Sequence, residues 1–259
     1  MKSDLWVSKI GNVDLPQEIV DHIVNYISDD RPTLFACTHL SRTWCIAARA
    51  HLYRTYTVWN FTGFRAVNNL QSTGAVHFVR RLIVAQQIHQ ADFLSSRTTT
   101  YLNAFTQLQD LRIERLNVGG LLTWLHPHYA ILNPTVQTLT LRYPRGTAKQ
   151  LLCFISLFSG LEDLVVERTE NETVSDAVVP VPEFSPPLTG RLKMVGIFDQ
   201  EFMSGLASFR KGLKFRVVNL QFCEGAQKVI DGCVGTMERF VYHPPDFRGK
   251  FNSPYISQR

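Results

Sequence analysis

Residues 15–58 read LPQEIVDHIVNYISDDRPTLFACTHLSRTWCIAARAHLYRTYTV, and this stretch decides how the fold is expected to begin. Leu15 and Pro16 open a helix pattern, since proline is tolerated in a first turn whose N–H groups lack helical partners. Apolar residues then recur with the spacing of one wide helix face: Ile19, Val20, Ile23, Val24 and Ile27. The Asp-Asp-Arg-Pro break at 29–32 ends this helix and favours a short second one, and a third is expected over about residues 40–53.

Three short helices bury little apolar surface, and a module of this size is only marginally stable alone. Two interpretations of the wide apolar face therefore stay open. The face packs against the following domain, as the cap of a repeat protein does, or part of it binds a partner protein.

The order of these residues resembles an F-box, the helical module by which many proteins dock onto the Skp-type adaptor of cullin–RING ubiquitin ligases. The matching residues are Leu15, Pro16, Glu18, Ile19, Ile23, Ile27, Leu34, Cys37, Leu40, Ser41, Arg42 and Trp44. The ending ARAHLYRTYTV at 48–58 is similar to a form common in fungal F-box proteins. The resemblance implies that the first and third helices contact the adaptor, a role that it assigns to Leu15, Pro16, Ile19, Ile23, Leu40 and Trp44.

The rest of the chain repeats a short strand-like pattern, in which an apolar residue is followed by others three and five positions later. The runs are Tyr53-Tyr56-Val58, Val79-Leu82-Val84, Leu108-Leu111-Ile113, Val136-Leu139-Leu141, Leu161-Leu164-Val166, Leu192-Val195-Ile197, Phe215-Val218-Leu220 and Met237-Phe240-Tyr242. Their central residues are 22 to 31 positions apart, which brackets the period of leucine-rich repeats.

Amphipathic helices fit between several of these runs. The sequence therefore predicts an α/β fold, an irregular leucine-rich-repeat-like solenoid with a parallel β-sheet on its concave face and helices outside. Family repeats place Asn or Cys three residues after the last apolar position, where its side chain bonds to backbone; only Cys223 does so here. Looser turns are expected elsewhere.

Four segments follow from these patterns: an N-terminal tail at 1–13, the F-box-like module at 14–55, the repeat array at 56–245 and a C-terminal tail at 246–259. The Pro-rich stretch at 169–187 is predicted to be a surface loop.

A protein target is expected to bind the side chains that alternate with the apolar residues of each strand, because these point away from the core. The candidates are Arg112, Glu114, Arg142, Asp163, Glu167, Asn219, Gln221 and Arg239. The same rule predicts an apolar patch in the middle of the array, at Met194, Gly196 and Phe198.

Composition narrows the class of protein. No basic-then-apolar signal segment opens the 259 residues, and the longest apolar run, LLCFISLF at 151–158, is too short to span a bilayer, so no membrane partner is expected. Five cysteines without a C-x-x-C pair indicate reduced thiols in a cytoplasmic or nuclear protein.

The net charge of +5 lies in residues 59–259, since residues 1–58 are neutral. No basic helix with interleaved aromatic residues occurs, so no nucleic-acid partner is expected. A mildly basic surface favours an acidic or phosphorylated target.

An enzyme is not expected. His126 and His128 form a weak metal pair without a nearby carboxylate or cysteine, and no catalytic or phosphate-binding motif occurs, so no cofactor is predicted. The leading hypothesis is the substrate-recognition adaptor of an SCF-type cullin–RING ubiquitin ligase. The alternatives are a leucine-rich-repeat scaffold without ubiquitin chemistry and, more distantly, an unrecognised hydrolase that uses the two histidines.

Overall fold

The computed structural model describes residues 15–59, 61–85, 102–115, 117–125, 134–168, 186–196, 198, 200–209, 212–221, 223 and 225–243. The predictions for 1–13, 126–128, 169–185 and 246–259 lie outside these ranges. The fold is mixed α/β, and the chain divides into two compact units between Arg54 and Thr55. We refer to them as the helical unit and the sheet unit.

The described residues of the helical unit, 15–54, form three helices: α1 at Gln17–Tyr26, α2 at Arg31–Cys37 and α3 at Arg42–Leu52. Pro16 is the N-cap of α1. Asp30 caps α2 by accepting hydrogen bonds from the Thr33 amide at 3.2 Å and the Thr33 hydroxyl at 2.5 Å. The third helix begins two residues later than predicted, because Ser41 accepts from the Trp44 amide and so serves as its N-cap.

The core of the helical unit is small. Its buried residues come from all three helices: Val20, Val24, Leu34, Cys37, Ala47 and Ala48, with Ile27, Trp44 and Leu52 packed partly buried against them. Two of the six buried residues are alanines, which contribute little apolar area each, so this unit has a modest hydrophobic stabilisation.

In the part of the chain that the structure describes, the sheet unit is built on eight parallel strands in one sheet, in which each strand pairs with the next in the chain. The strands are β1 Thr55–Val58, β2 Arg81–Ala85, β3 Asp110–Glu114, β4 Thr138–Arg142, β5 Asp163–Arg168, β6 Arg191–Gly196, β7 Val217–Gln221 and β8 Arg239–His243. The helices that the structure describes here are α4 Phe61–Ser72, a 3₁₀ helix Ala75–Phe78, α5 Val118–Leu125, α6 Ala148–Ser156, α7 Gln200–Ala207 and α8 Ala226–Cys233.

Two rows of apolar side chains run across the sheet and form its core. One row is Leu82, Leu111, Leu139, Leu164, Leu192 and Val218, and the other is Val58, Val84, Ile113, Leu141, Val166, Met194 and Leu220; all are buried. Because successive residues of a strand point to opposite faces, the residues between these rows form the other face of the sheet, which we call the open face.

The predicted register of β6 is wrong. Leu192 pairs with Leu164 in the central row and Met194 pairs with Val166, so Val195 lies on the open face instead of in the core. The segment that leads into β6 is one residue longer than the repeat pattern predicts. Buried Leu188 supplies the first apolar position four residues before Leu192, at a positive φ of 44°.

This shift also removes the predicted apolar patch. Met194 and Phe198 are fully buried, and Gly196 occupies a positive-φ position at the end of β6. A displacement of three residues exchanges the two faces of a strand, because the side-chain period is two. The open-face residues of β6 are Arg191, Lys193 and Val195.

The turn after β7 confirms the prediction for Cys223. Its thiol is buried and lies 3.4 Å from the Gln221 carbonyl and 3.8 Å from the Met194 carbonyl of the preceding strand. Burial raises the pKa of this thiol to about 12, so it stays protonated as a donor.

Candidate functional sites

The first candidate site is an apolar surface on the helical unit. The apolar stripe of α1 divides in two: Val20 and Val24 are buried, whereas Ile19 and Ile23 remain 48% and 36% exposed. A helix turns by 100° per residue, so positions one apart in sequence face different directions. Leu15, which is 40% exposed and precedes the helix by two residues, continues the four-residue spacing. We call Leu15, Ile19 and Ile23 the apolar face.

Two large apolar side chains near α2 are exposed as well. Leu40, a predicted adaptor contact, is 64% exposed, and Phe35 is 63% exposed. The Phe35 and His39 rings pack edge to face, with 5.1 Å between the ring centres. The Phe35 backbone carbonyl accepts a hydrogen bond of 2.7 Å from the Thr38 hydroxyl. Phe35 is absent from the predicted adaptor contacts. It could have been found from its position directly after Leu34, because neighbouring residues of a helix face different directions and Leu34 faces the core.

The other two predicted adaptor contacts differ in position. Pro16 is exposed at the start of α1. Trp44 is half-buried and packs against the core of the helical unit, so its ring stabilises this unit whatever else it contacts. The structure thus places five of the six predicted residues at the surface and the sixth partly in the core.

The second candidate site is the open face of the sheet unit. All eight predicted target-binding residues lie in strands, at positions that alternate with the buried rows. Arg112, Glu114, Arg142 and Glu167 come together on neighbouring strands. Asn219 and Gln221 lie on β7 and are joined by a hydrogen bond of 3.3 Å. Arg239 is exposed on β8.

Five of the open-face side chains form an alternating charge ladder, made of Arg112, Glu114, Arg142, Glu167 and Lys193. Arg142 bridges the two acids, with Nε 2.6 Å from Glu167 Oε2 and Nη1 3.5 Å from Glu114 Oε1. Lys193 Nζ lies 3.4 Å from Glu167 Oε1. The corrected register of β6 is what brings Lys193 onto this face, so the sequence pattern missed this member.

The contacts within the ladder favour the charged forms of Glu167 and Arg142. Partial burial acts to raise the pKa of Glu167, but the hydrogen bond and charge of Arg142, together with Lys193, outweigh it and lower that pKa. Burial likewise acts to lower the pKa of Arg142, and Glu167 raises it above its usual value. Glu167 is therefore ionised at neutral pH and held by two cations.

Arg112 is the least satisfied member of the ladder. Its Nε lies 2.6 Å from Glu114 Oε1. The approach lacks hydrogen-bonding geometry, so this buried nitrogen has no hydrogen-bond partner among the described groups. Within its own row, Arg112 stands between Ile83 and Thr140, which carry no charge.

Asp163 has a structural role in addition to any binding role. Its Oδ1 accepts a hydrogen bond of 2.5 Å from the Arg191 amide, and its Oδ2 lies 3.7 Å from the Arg191 guanidinium. A Cβ atom at Gly190 would overlap this carboxylate, so the glycine makes the approach possible. Asp163 therefore fixes the start of β6.

No cluster of three or more His, Cys, Asp or Glu side chains able to hold a metal ion occurs among the described residues. Burial raises the pKa of Cys153 to about 11, so this thiol is a poor nucleophile at neutral pH. In the same part of the chain, no helix has the length and apolar character needed to cross a membrane. His126 and His128 lie outside the described residues, and the expectation of a non-enzyme stays a prediction.

Comparison with known proteins assigns no family to this chain. No protein-family model matches the chain, and no curated protein matches it.

Proposed function

We propose that this protein is a substrate-recognition adaptor of an SCF-type cullin–RING ubiquitin ligase. The helical unit acts as an F-box that docks a Skp-type adaptor, and the sheet unit acts as a leucine-rich-repeat-like solenoid that holds a protein target. The resemblance of residues 15–58 to an F-box supplies the partner.

The observation that carries the proposal is the apolar face of α1. The helical unit already has its own core, yet Leu15, Ile19 and Ile23 stay exposed beside it at four-residue spacing. Single exposed apolar residues are ordinary on protein surfaces, but several on one helix face are typical of a protein–protein contact. Covering the exposed part of each side chain would contribute about 1 kcal/mol to docking.

The mechanism that fits two such surfaces is proximity. The helical unit fixes the protein to the ligase and the sheet unit fixes the target, so the target's lysines meet the ubiquitin-carrying enzyme at a high effective concentration. This chain then needs no catalytic residue of its own.

A binding assay with purified Skp-type adaptor tests the proposal. We expect the double variant Ile19→Asp/Ile23→Asp to bind at least tenfold more weakly than wild type, because a charge buried at the interface costs more than the lost apolar contact. Both side chains lie at the surface, so the variant should keep the unfolding midpoint of the wild type.

Val234→Asp is the matched control, since Val234 is also an exposed apolar residue but lies at the end of α8 in the sheet unit, outside the predicted adaptor contacts. It should bind the adaptor as the wild type does. Equal binding by the wild type and the α1 double variant would refute the proposal. Adaptor binding without recruitment of a cullin would instead favour a scaffold without a ligase role.

A further inference from the structure

The last strand of the described sheet, β8, is covered less than the strand before it. The core-row residues of β7, Val218 and Leu220, are fully buried. Their neighbours on β8, Phe240 and Tyr242, are each 41% exposed, and their rings stack nearly parallel with 6.2 Å between the centres. Val234, at the end of α8, is exposed as well. Among the described residues, an apolar surface therefore remains at this end of the sheet.

The outer edge of β8 pairs with no other described strand. The Arg239 amide donates a hydrogen bond of 3.0 Å to the carbonyl of Arg216, which directly precedes β7. Because backbone groups alternate between the two edges of a strand, the N–H and C=O groups of Phe240 and Tyr242 point to the outer edge. An edge of this kind can take up one more strand through main-chain hydrogen bonds.

Arg239 gives this edge a positive charge. It is exposed on the open face and has no carboxylate partner among the described residues. Its neighbour on β7, Val217, carries no charge. Glu238 points to the opposite face, because successive residues of an extended chain alternate. An added strand with an acidic residue opposite Arg239 would therefore form an ion pair without breaking an existing one.

We propose that β8 binds an extended segment of the target protein as a further strand of the sheet. Apolar residues of the segment lie against Phe240 and Tyr242, and an acidic residue lies opposite Arg239. The inference rests on the proposed function, in which the sheet unit holds the target, and it adds where and in which conformation the target is held. Main-chain hydrogen bonds contribute the affinity, and the alternating apolar and acidic side chains determine the specificity.

Charge favours a target segment over two other occupants of the edge. If a second copy of this chain paired antiparallel about Val241, Arg239 would face His243 of the second copy and would gain no carboxylate. The sequence that follows β8, residues 244–259, contains three Lys or Arg residues and one Asp. Its net charge is positive, like that of Arg239, so it does not complement the edge. An acidic segment does.

Backbone amide exchange, measured by NMR on the full chain, tests the inference. The probe is the peptide SEVTVES, whose symmetric pattern of acidic and apolar residues suits either strand direction. In the free chain the outward amides of Phe240 and Tyr242 should exchange fast, whereas the Arg239 amide, which is bonded to Arg216, should exchange slowly. Saturating probe should slow the exchange of the two outward amides at least tenfold.

Titrations with the labelled probe separate the side-chain and main-chain parts of the contact. Gln in place of both Glu residues of the probe, or Arg239→Gln in the protein, should weaken binding about threefold, and the two changes together little more. One probe is N-methylated at its Val residues and another at its Glu and Thr residues, so that each blocks the main-chain donors used in one strand direction. One of these two should bind at least tenfold more weakly than the unmethylated probe.

Lys228→Gln is the matched control, because it removes an exposed positive charge from α8 and should leave probe binding within twofold of the wild type. Slow exchange of the outward amides in the free chain would overturn the inference, since another part of the chain or a second copy would then occupy the edge. Equal binding of all the probes, or no slowing at saturating probe, would overturn it too. Adaptor binding is a separate measurement, so a failure of the docking hypothesis is distinguishable from a failure of this one.

Discussion

At the scale of single residues, Glu167 joins the charge ladder to the stability of the sheet unit. Its carboxylate touches both Arg142 and Lys193, and its pKa in the folded protein is lowered from an ordinary value of 4.5. A lowered pKa means that ionised Glu167 stabilises the fold. That contribution is complete above about pH 4.5 and is lost as the pH falls through the lowered value.

Glu167→Gln should therefore reduce the free energy of unfolding by about 1–2 kcal/mol at pH 7, the range for losing a charged hydrogen bond on a partly solvated surface. The difference from wild type should shrink as the pH falls through the lowered pKa of Glu167, because protonated glutamic acid and glutamine are both neutral. Urea unfolding at several pH values measures it. Glu201→Gln is the control, because its ion pair with Lys149 is well exposed. A difference independent of pH would contradict the role of the ionised carboxylate.

At the scale of an element, α1 combines a core face and a surface face within two turns. Val24→Ala should destabilise the helical unit by about 1–2 kcal/mol, since it removes buried methyl groups and leaves a cavity. Ile23→Ala, at the next position, should change the unfolding free energy by less than about 0.5 kcal/mol but weaken adaptor binding. Thermal unfolding and adaptor titration of both variants check this separation. Equal destabilisation by the two substitutions would mean that the faces are not separate.

The strands show how far sequence patterns predict this structure. Seven of the eight central apolar residues lie in the predicted register, because each repeats the same spacing. Phe240 of β8 is in register but 41% exposed, so it does not belong to the buried core. The pattern is wrong at β6. The segment before this strand, which contains Leu188 and Gly190, is one residue longer than in the other repeats, and no periodicity in the sequence predicts that extra residue. Ion pairs across strands depend on register, so the register error at β6 also left Lys193 out of the predicted site residues.

The sequence predicts which residues lie at the two surface sites, but not how they pair with one another. Alternation predicts which side chains leave the core, and it placed Arg112, Glu114, Arg142 and Glu167 on the open face. It does not predict which of them neutralise each other, because that depends on the neighbouring strands. On α1 the sequence showed one wide apolar stripe, and only the packing of α2 and α3 separates Val20 and Val24 from Ile19 and Ile23.

At the scale of the whole molecule, two units with separate cores carry the two proposed contacts. Among the described residues, the helical unit has six buried core residues, whereas the buried rows of the sheet unit extend over seven strands, β1 to β7. A small core gives a low intrinsic stability, so we expect the helical unit to unfold at a lower urea concentration than the sheet unit. The order of unfolding can be measured through one buried cysteine in each unit, Cys37 in the helical unit and Cys153 in the sheet unit.

Both thiols should be protected from alkylation in the native protein, since burial raises the pKa of each. With rising urea, mass spectrometry should detect alkylation of Cys37 before that of Cys153. Saturating Skp-type adaptor should move only the Cys37 transition to higher urea, because a ligand of the folded helical unit stabilises it by mass action, by about 2.7 kcal/mol at a hundredfold excess over Kd. The Ile19→Asp/Ile23→Asp variant should lose this shift and keep the Cys153 transition. A single transition for both thiols would show that the units unfold together, and an unchanged Cys37 transition would mean that the adaptor does not bind the helical unit.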